Sequence, residues 1–68
     1  MTSGKIISEN IKRLRNKLCL TQDDLAKKAD IKYTTLMKVE SGTVNKPSVQ
    51  TMAKIAKALG VSIEDLLK

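Results

Sequence analysis

Apolar residues recur at helical spacing almost from one end of this chain to the other, and capping residues cut that periodicity into short pieces. Ile7, Ile11, Leu14 and Leu18 fall at steps of four, three and four, which predicts a single inward stripe on a first helix. Thr21, with Asp24 three residues on, forms an approximate capping box opening a second helix, "QDDLAKKA". Its inward residues are expected to be Leu25, Ala26 and Ala29, while Asp23 and Asp24 suit the positive end of the helix dipole and Lys27 and Lys28 the negative end. Asp30 breaks the pattern, Ile31 supplies an apolar plug, and a third helix is expected from about Lys32 to Ser41 with Leu36 and Val39 inside. Gly42 ends it, because glycine takes the left-handed conformation at little steric cost. Pro47 makes "TVNKP" a loop. Ser48 caps a fourth helix whose stripe is expected at Val49, Met52, Ala53, Ala56 and Leu59, with Ile55 beside it. Gly60 stops that helix, and Ser62 with Asp65 opens a short fifth carrying Ile63, Leu66 and Leu67. Five short helices with tight connections predict an all-α, compact five-helix bundle.

At 68 residues the chain is expected to form one domain, 1–68, whose core is marginal and must use its apolar residues efficiently. Cys19 is the only cysteine and histidine is absent, which removes disulfide staples, zinc-finger spacing and Cys–His catalysis. A reducing cytoplasm fits, and Cys19 is expected to be a small, semi-buried apolar residue. No apolar run approaches the ~18 residues of a membrane span. Thirteen basic against seven acidic residues give a formal charge of +6, a field that favours polyanions. There is no glycine-rich phosphate loop and no carboxylate pair set in a cleft; Asp23 with Asp24, and Glu64 with Asp65, are helix-start charges. The expectation is therefore a non-enzyme with no cofactor, no metal and no small-molecule substrate.

About three residues join the second and third helices, and Ala26 and Ala29 permit close approach, so the two should cross steeply as a helix-turn-helix. The third helix then projects its amino-terminal half, and the major groove is wide enough to admit such a helix. The stretch "LTQDDLAKKADIKYTTLMKVESG", with Leu25-Ala26, Leu36, Val39, Glu40 and Gly42, resembles the Cro/phage-repressor class of helix-turn-helix regulators. The downstream "KPSVQTMAKIAKALGVSIEDLL" matches equally well, and the likeness spans Leu18 to Leu67, extended by Arg15 on helix 1.

That resemblance implies a lambda-repressor-like DNA-binding domain and assigns roles position by position. Arg15 and Glu40 match a structural ion pair holding the reading helix to the scaffold, with roughly 3–5 kcal/mol at stake if it is deeply buried. Gln22 matches a phosphate-binding glutamine that also braces helix 3. Tyr33, Thr34 and Lys38 match the base-reading positions, with Lys32 at the rim. Asn45, Lys46 and Ser48 match a second phosphate clamp. Val61, Ile63, Leu66 and Leu67 are candidates for a twofold interface, some inward and some across the dyad. Lys12, Arg13 and Lys17 supply solvation and general field, and Met37 is surface without a role.

Three residues depart from the family pattern. Asp30 and Cys19 stand where glycine is usual, with a cost of order 1 kcal/mol at Cys19 if it is left-handed. Lys32 replaces the usual Ser or Thr cap. The function implied is a sequence-specific double-stranded DNA-binding regulator, a repressor acting as a homodimer on a palindromic operator, in a cytoplasmic, nucleoid-associated setting of bacterial or phage origin. A rival reading is an interaction module of the same fold, either an antitoxin or the targeting end of a larger protein such as a DNA methyltransferase. A third, an anionic membrane surface as partner, is disfavoured because the apolar stripes are occupied by the core.

Overall fold

In the computed structural model, residues 3–42 and 47–68 are described, and they form five α-helices: α1 (Ser3–Lys17), α2 (Gln22–Ala29), α3 (Tyr33–Glu40), α4 (Val49–Leu59) and α5 (Ile63–Leu67). Helix α1 packs on α3 and α5, while α2 packs on α3 and α4, so every helix contributes to one interior. Ile11, Leu25, Leu36, Ile55 and Leu66 are completely inaccessible at its centre. Full burial of each such side chain contributes roughly 1.5–3 kcal/mol.

Local chemistry sets the boundaries. At Thr21 and Ser62 the hydroxyl accepts from the Asp24 and Asp65 amides, and each aspartate accepts from the cap amide in return, making two full capping boxes. Both carboxyls are held below the ordinary value of 3.8, first by the bond from the cap's backbone amide and then by its hydroxyl. Helix stops follow one design used three times. Cys19, Asp30 and Gly60 adopt left-handed φ of 59°, 58° and 74°. The next residue then donates its amide back to the helix: Leu20 to the Arg15 carbonyl, Ile31 to Ala26 and Val61 to Ala56, each at 3.0 Å. Leu20, Ile31 and Val61 each tuck partly against the core, so a single apolar residue locks every reversal. Gly42, at φ 78°, follows α3.

The apolar stripes differ from expectation at their ends. Leu18 is exposed because α1 stops at Lys17, and the chain turns before a further step of the stripe can form. Cys19, expected to be semi-buried, is exposed on that same turn. On α4 the buried face is Met52, Ile55, Ala56, Ala58 and Leu59, whereas Val49 and Ala53 face outward. Val49 is the first helical residue and overhangs the interior with 76% of its surface exposed. Helix α3 is one residue shorter at each end than expected, with Lys32 and Ser41 as its caps. Lys32 makes no side-chain cap bond.

Candidate nucleic-acid interface

The link between α2 and α3 is Asp30, Ile31 and Lys32, too short for the helices to run side by side. The left-handed Asp30 and the Ile31 anchor turn the chain from α2 into α3, which packs on α2 with Leu36, Val39 and Glu40 facing the interior. What remains outward is Tyr33, Thr34, Met37 and Lys38. Tyr33 and Met37, like Thr34 and Lys38, are four residues apart and stack along the axis, giving a two-column strip of phenol, hydroxyl, thioether and amine. Lys32 extends it at the amino-terminal end. The only carboxylate on α3 is Glu40, and it is 1% exposed, so the strip carries positive charge with no acid beside it on the helix.

Glu40 is the hub that holds this strip in place. Arg15 Nε donates to Glu40 Oε2 at 3.0 Å and Arg15 Nη2 to Oε1 at 3.2 Å, a two-pronged contact. The third guanidinium nitrogen, Nη1, donates to the Leu20 carbonyl at 2.8 Å and so fastens the α1–α2 connection. About two turns earlier on α1, Ser8 donates its hydroxyl to the Glu40 backbone carbonyl. From α2, Gln22 Nε2 donates to Glu40 Oε1 at 3.3 Å, and Tyr33 in turn donates its hydroxyl to Gln22 Oε1 at 3.2 Å. A continuous path therefore runs from the partly buried guanidinium of α1 through Glu40 and Gln22 to the exposed phenol of α3.

Other candidate residues fall in different places. Ser48 accepts from the Thr51 amide at 3.1 Å and donates to the Thr51 hydroxyl at 2.9 Å, so its side chain serves the α4 cap. Asn45 and Lys46 lie outside the described residues. Of the twofold candidates, Leu67 is half exposed, Val61 and Ile63 lean on the core with an edge outside, and Leu66 is fully buried. Leu66 is thus a core residue with no surface to offer a second chain, on the face of α5 that packs into the interior between α1 and α4. At the head of α2, Asp23 pairs with Lys27 at 3.1 Å and Asp24 closes the capping box, so these carboxylates already occupy the positive dipole end.

Two polar anchors were missed by pattern reading. Ser8 lies between Ile7 and Ile11 and seven residues before Arg15, so its spacing puts it on the inward face but does not name Glu40 as its partner. Asn10 is buried and donates to the Leu66 carbonyl at 2.8 Å and to Lys68 at 3.3 Å, tying off the open end of α5. No spacing rule points to that bond, which spans most of the chain. Separately, a depression of about 400 Å³ lies between the carboxyl ends of α2 and α4, lined by Lys28, Ala29, Asp30, Lys54, Lys57 and Ala58, with no residue of α3. Among the described residues, no helix is long and apolar enough to cross a membrane.

Comparison with known proteins agrees with this architecture. The helix-turn-helix family model matches residues 11–66. An uncharacterized HTH-type transcriptional regulator of Methanocaldococcus jannaschii is 47% identical over 47 residues, which are 69% of this chain and 70% of that protein. One from Sinorhizobium fredii is 34% identical over 67 residues, covering 98% and 86% respectively. Among solved structures, the N-terminal DNA binding domain of SinR from Bacillus subtilis superposes with a TM-score of 0.90 at 30% identity, over 94% of this chain and 93% of that one. With the family model spanning most of the chain and relatives of this identity and coverage, the chain belongs to the helix-turn-helix family of the Cro/phage-repressor type, a family of DNA-binding transcriptional regulators and not of enzymes.

Proposed function

We propose that this protein is a sequence-specific regulator of transcription that lays α3 in the major groove of double-stranded DNA. The observation that supports this reading is the pairing of an acid-free, outward strip at Tyr33, Thr34, Met37 and Lys38 with the ion pair of partly buried Arg15 and buried Glu40 beneath it. Lys38 reaches acceptors such as guanine O6 and N7, and Thr34 a base edge or a thymine methyl. Lys32 serves the rim. Gln22 keeps one amide hydrogen beyond the bond to Glu40, and that hydrogen is available to a phosphate. Ser48 through its amide, with Asn45 and Lys46, supplies the second backbone clamp, and the +6 charge adds sequence-independent attraction.

Four outward side chains cover too few base pairs for selectivity within a genome, so the protein acts as a homodimer on a palindrome. A body measuring 28 × 21 × 19 Å is small enough for two copies to lie side by side on half-sites about one helical turn (~34 Å) apart. Leu67, with the outer edges of Val61 and Ile63, provides the apolar contact. Occupancy of such a site blocks polymerase, which makes the protein a repressor, working in the cytoplasm with the nucleoid. Selecting bound sequences from a random duplex pool tests this: an inverted repeat with half-sites one turn apart is expected. Lys38→Ala should then weaken binding to the selected site by about 1–3 kcal/mol more than to random DNA. Equal losses on both would reduce Lys38 to a phosphate contact, and an unenriched pool would refute sequence recognition.

A further inference from the structure

The path of hydrogen bonds beneath α3 decides which way the Tyr33 hydroxyl proton points. The Glu40 carboxylate, gripped by two Arg15 nitrogens, offers acceptors only. Gln22 approaches Glu40 Oε1 at 3.3 Å and must present its amino group there, because the reversed amide would set a carbonyl oxygen against a carboxylate oxygen. The Gln22 oxygen is thereby left toward Tyr33, 3.2 Å from its hydroxyl, where only an O–H donor makes a bond. A phenol has one hydrogen, and it is committed inward. Toward solvent Tyr33 has lone pairs to offer and no donor.

We propose that Tyr33 is a specificity-determining acceptor, selecting a base that carries an exocyclic amino group in the major groove. Adenine N6 and cytosine N4 are the donors displayed there; guanine presents N7 and O6, and thymine O4 and a methyl, all unable to donate to Tyr33. The same fixed polarity bars Tyr33 from donating to a phosphate oxygen, so its contact carries sequence information. Arg15, Glu40 and Gln22 are positioning residues in this scheme: a partly buried charge on α1, paired with buried Glu40, sets the hydrogen-bond sense of an exposed group on α3 (43% exposed). The inference rests on the proposed placement of α3 in the groove.

The test uses the full chain and the duplex enriched from the random pool, with affinities read by fluorescence anisotropy. One position in each half-site is expected to be adenine or cytosine. Replacing that adenine by purine, or that cytosine by 2-pyrimidinone, removes only the amino group and should cost wild type about fivefold in affinity. With Tyr33→Phe, which keeps the ring, the same replacement should cost less than about twofold. Gln22→Leu frees the hydroxyl to rotate and donate, so the preference for adenine or cytosine over guanine and thymine at that position should collapse to within about twofold. Circular dichroism confirms that both variants remain helical. An amino-group penalty unchanged by Tyr33→Phe would overturn the proposal while leaving α3 as the reader. So would a guanine or thymine preference that Tyr33→Phe erases. A pool with no enriched sequence would instead overturn the groove placement itself, and this inference with it.

Discussion

Arg15→Ala removes the guanidinium from beneath α3 and strands the Glu40 carboxylate. Glu40 is 1% exposed and the Arg15 side chain 14%, so water reaches neither freely. The substitution deletes both bonds to Glu40 and the bond to the Leu20 carbonyl, leaving the carboxylate with the Gln22 amide alone. Breaking one half of a buried pair costs about 3–5 kcal/mol, to which the lost Leu20 bond adds about 1 kcal/mol. A domain of this length has roughly 3–10 kcal/mol in total at about 0.05–0.15 kcal/mol per residue, so the variant should be barely folded at room temperature. Urea unfolding followed by helical circular dichroism measures it directly. The companion variant Arg15→Met with Glu40→Met takes both charges away and fills the space with apolar atoms. It should recover to within about 1–2 kcal/mol of the parent, since apolar replacement of a buried pair is close to neutral. A single-variant loss under about 1 kcal/mol would mean that the pair behaves as a surface bridge. A double variant no more stable than the single would mean that the stranded charge is not the cause.

Other substitutions probe the boundaries of the helices. Lys32→Ser supplies the side-chain cap that α3 lacks and should raise stability by about 1 kcal/mol in the same urea assay. Cys19→Gly relieves a left-handed residue on an exposed turn and should stabilise by about 0.5–1 kcal/mol, a gain that vanishes if the turn can relax without it. Because Asp24 and Asp65 are held below their ordinary value of 3.8, their capping contribution is complete above that value and is lost as pH falls through the lowered native values. The double variant Asp24→Asn, Asp65→Asn should therefore flatten the acid side of a melting-temperature profile; an unchanged acid slope would place the titration elsewhere.

Legibility followed the range of the interaction. Caps and stops were readable because Thr21 with Asp24, Ser62 with Asp65, Asp30 and Gly60 act over three to five residues, and their chemistry is written in the residue types. Stripes were readable at their centres, as at Ile7, Ile11, Leu25 and Leu36, and failed at their ends. Leu18 and Val49 keep the helical spacing, yet the first lies past the end of α1 and the second is exposed on the opening turn of α4. On α4 so many residues are apolar that Ala53 and Ile55 competed for the inward face, and packing on α2 and α5 chose Ile55. Long-range polar bonds were beyond pattern. Composition alone cannot bury Glu40; the family resemblance pointed to its partner, but the bonds from Ser8 and from Tyr33 through Gln22 come only from the crossing of three helices.

The central claim is that the outward strip of α3 meets base pairs. Titrating an isotope-labelled sample with the selected duplex and following backbone amide shifts tests it residue by residue. The largest changes should fall on Gln22 and on Tyr33, Thr34, Met37 and Lys38, with the α2–α4 depression around Lys28, Lys54 and Lys57 unaffected. Shifts concentrated at those three lysines, with Tyr33, Thr34 and Lys38 unmoved, would contradict it.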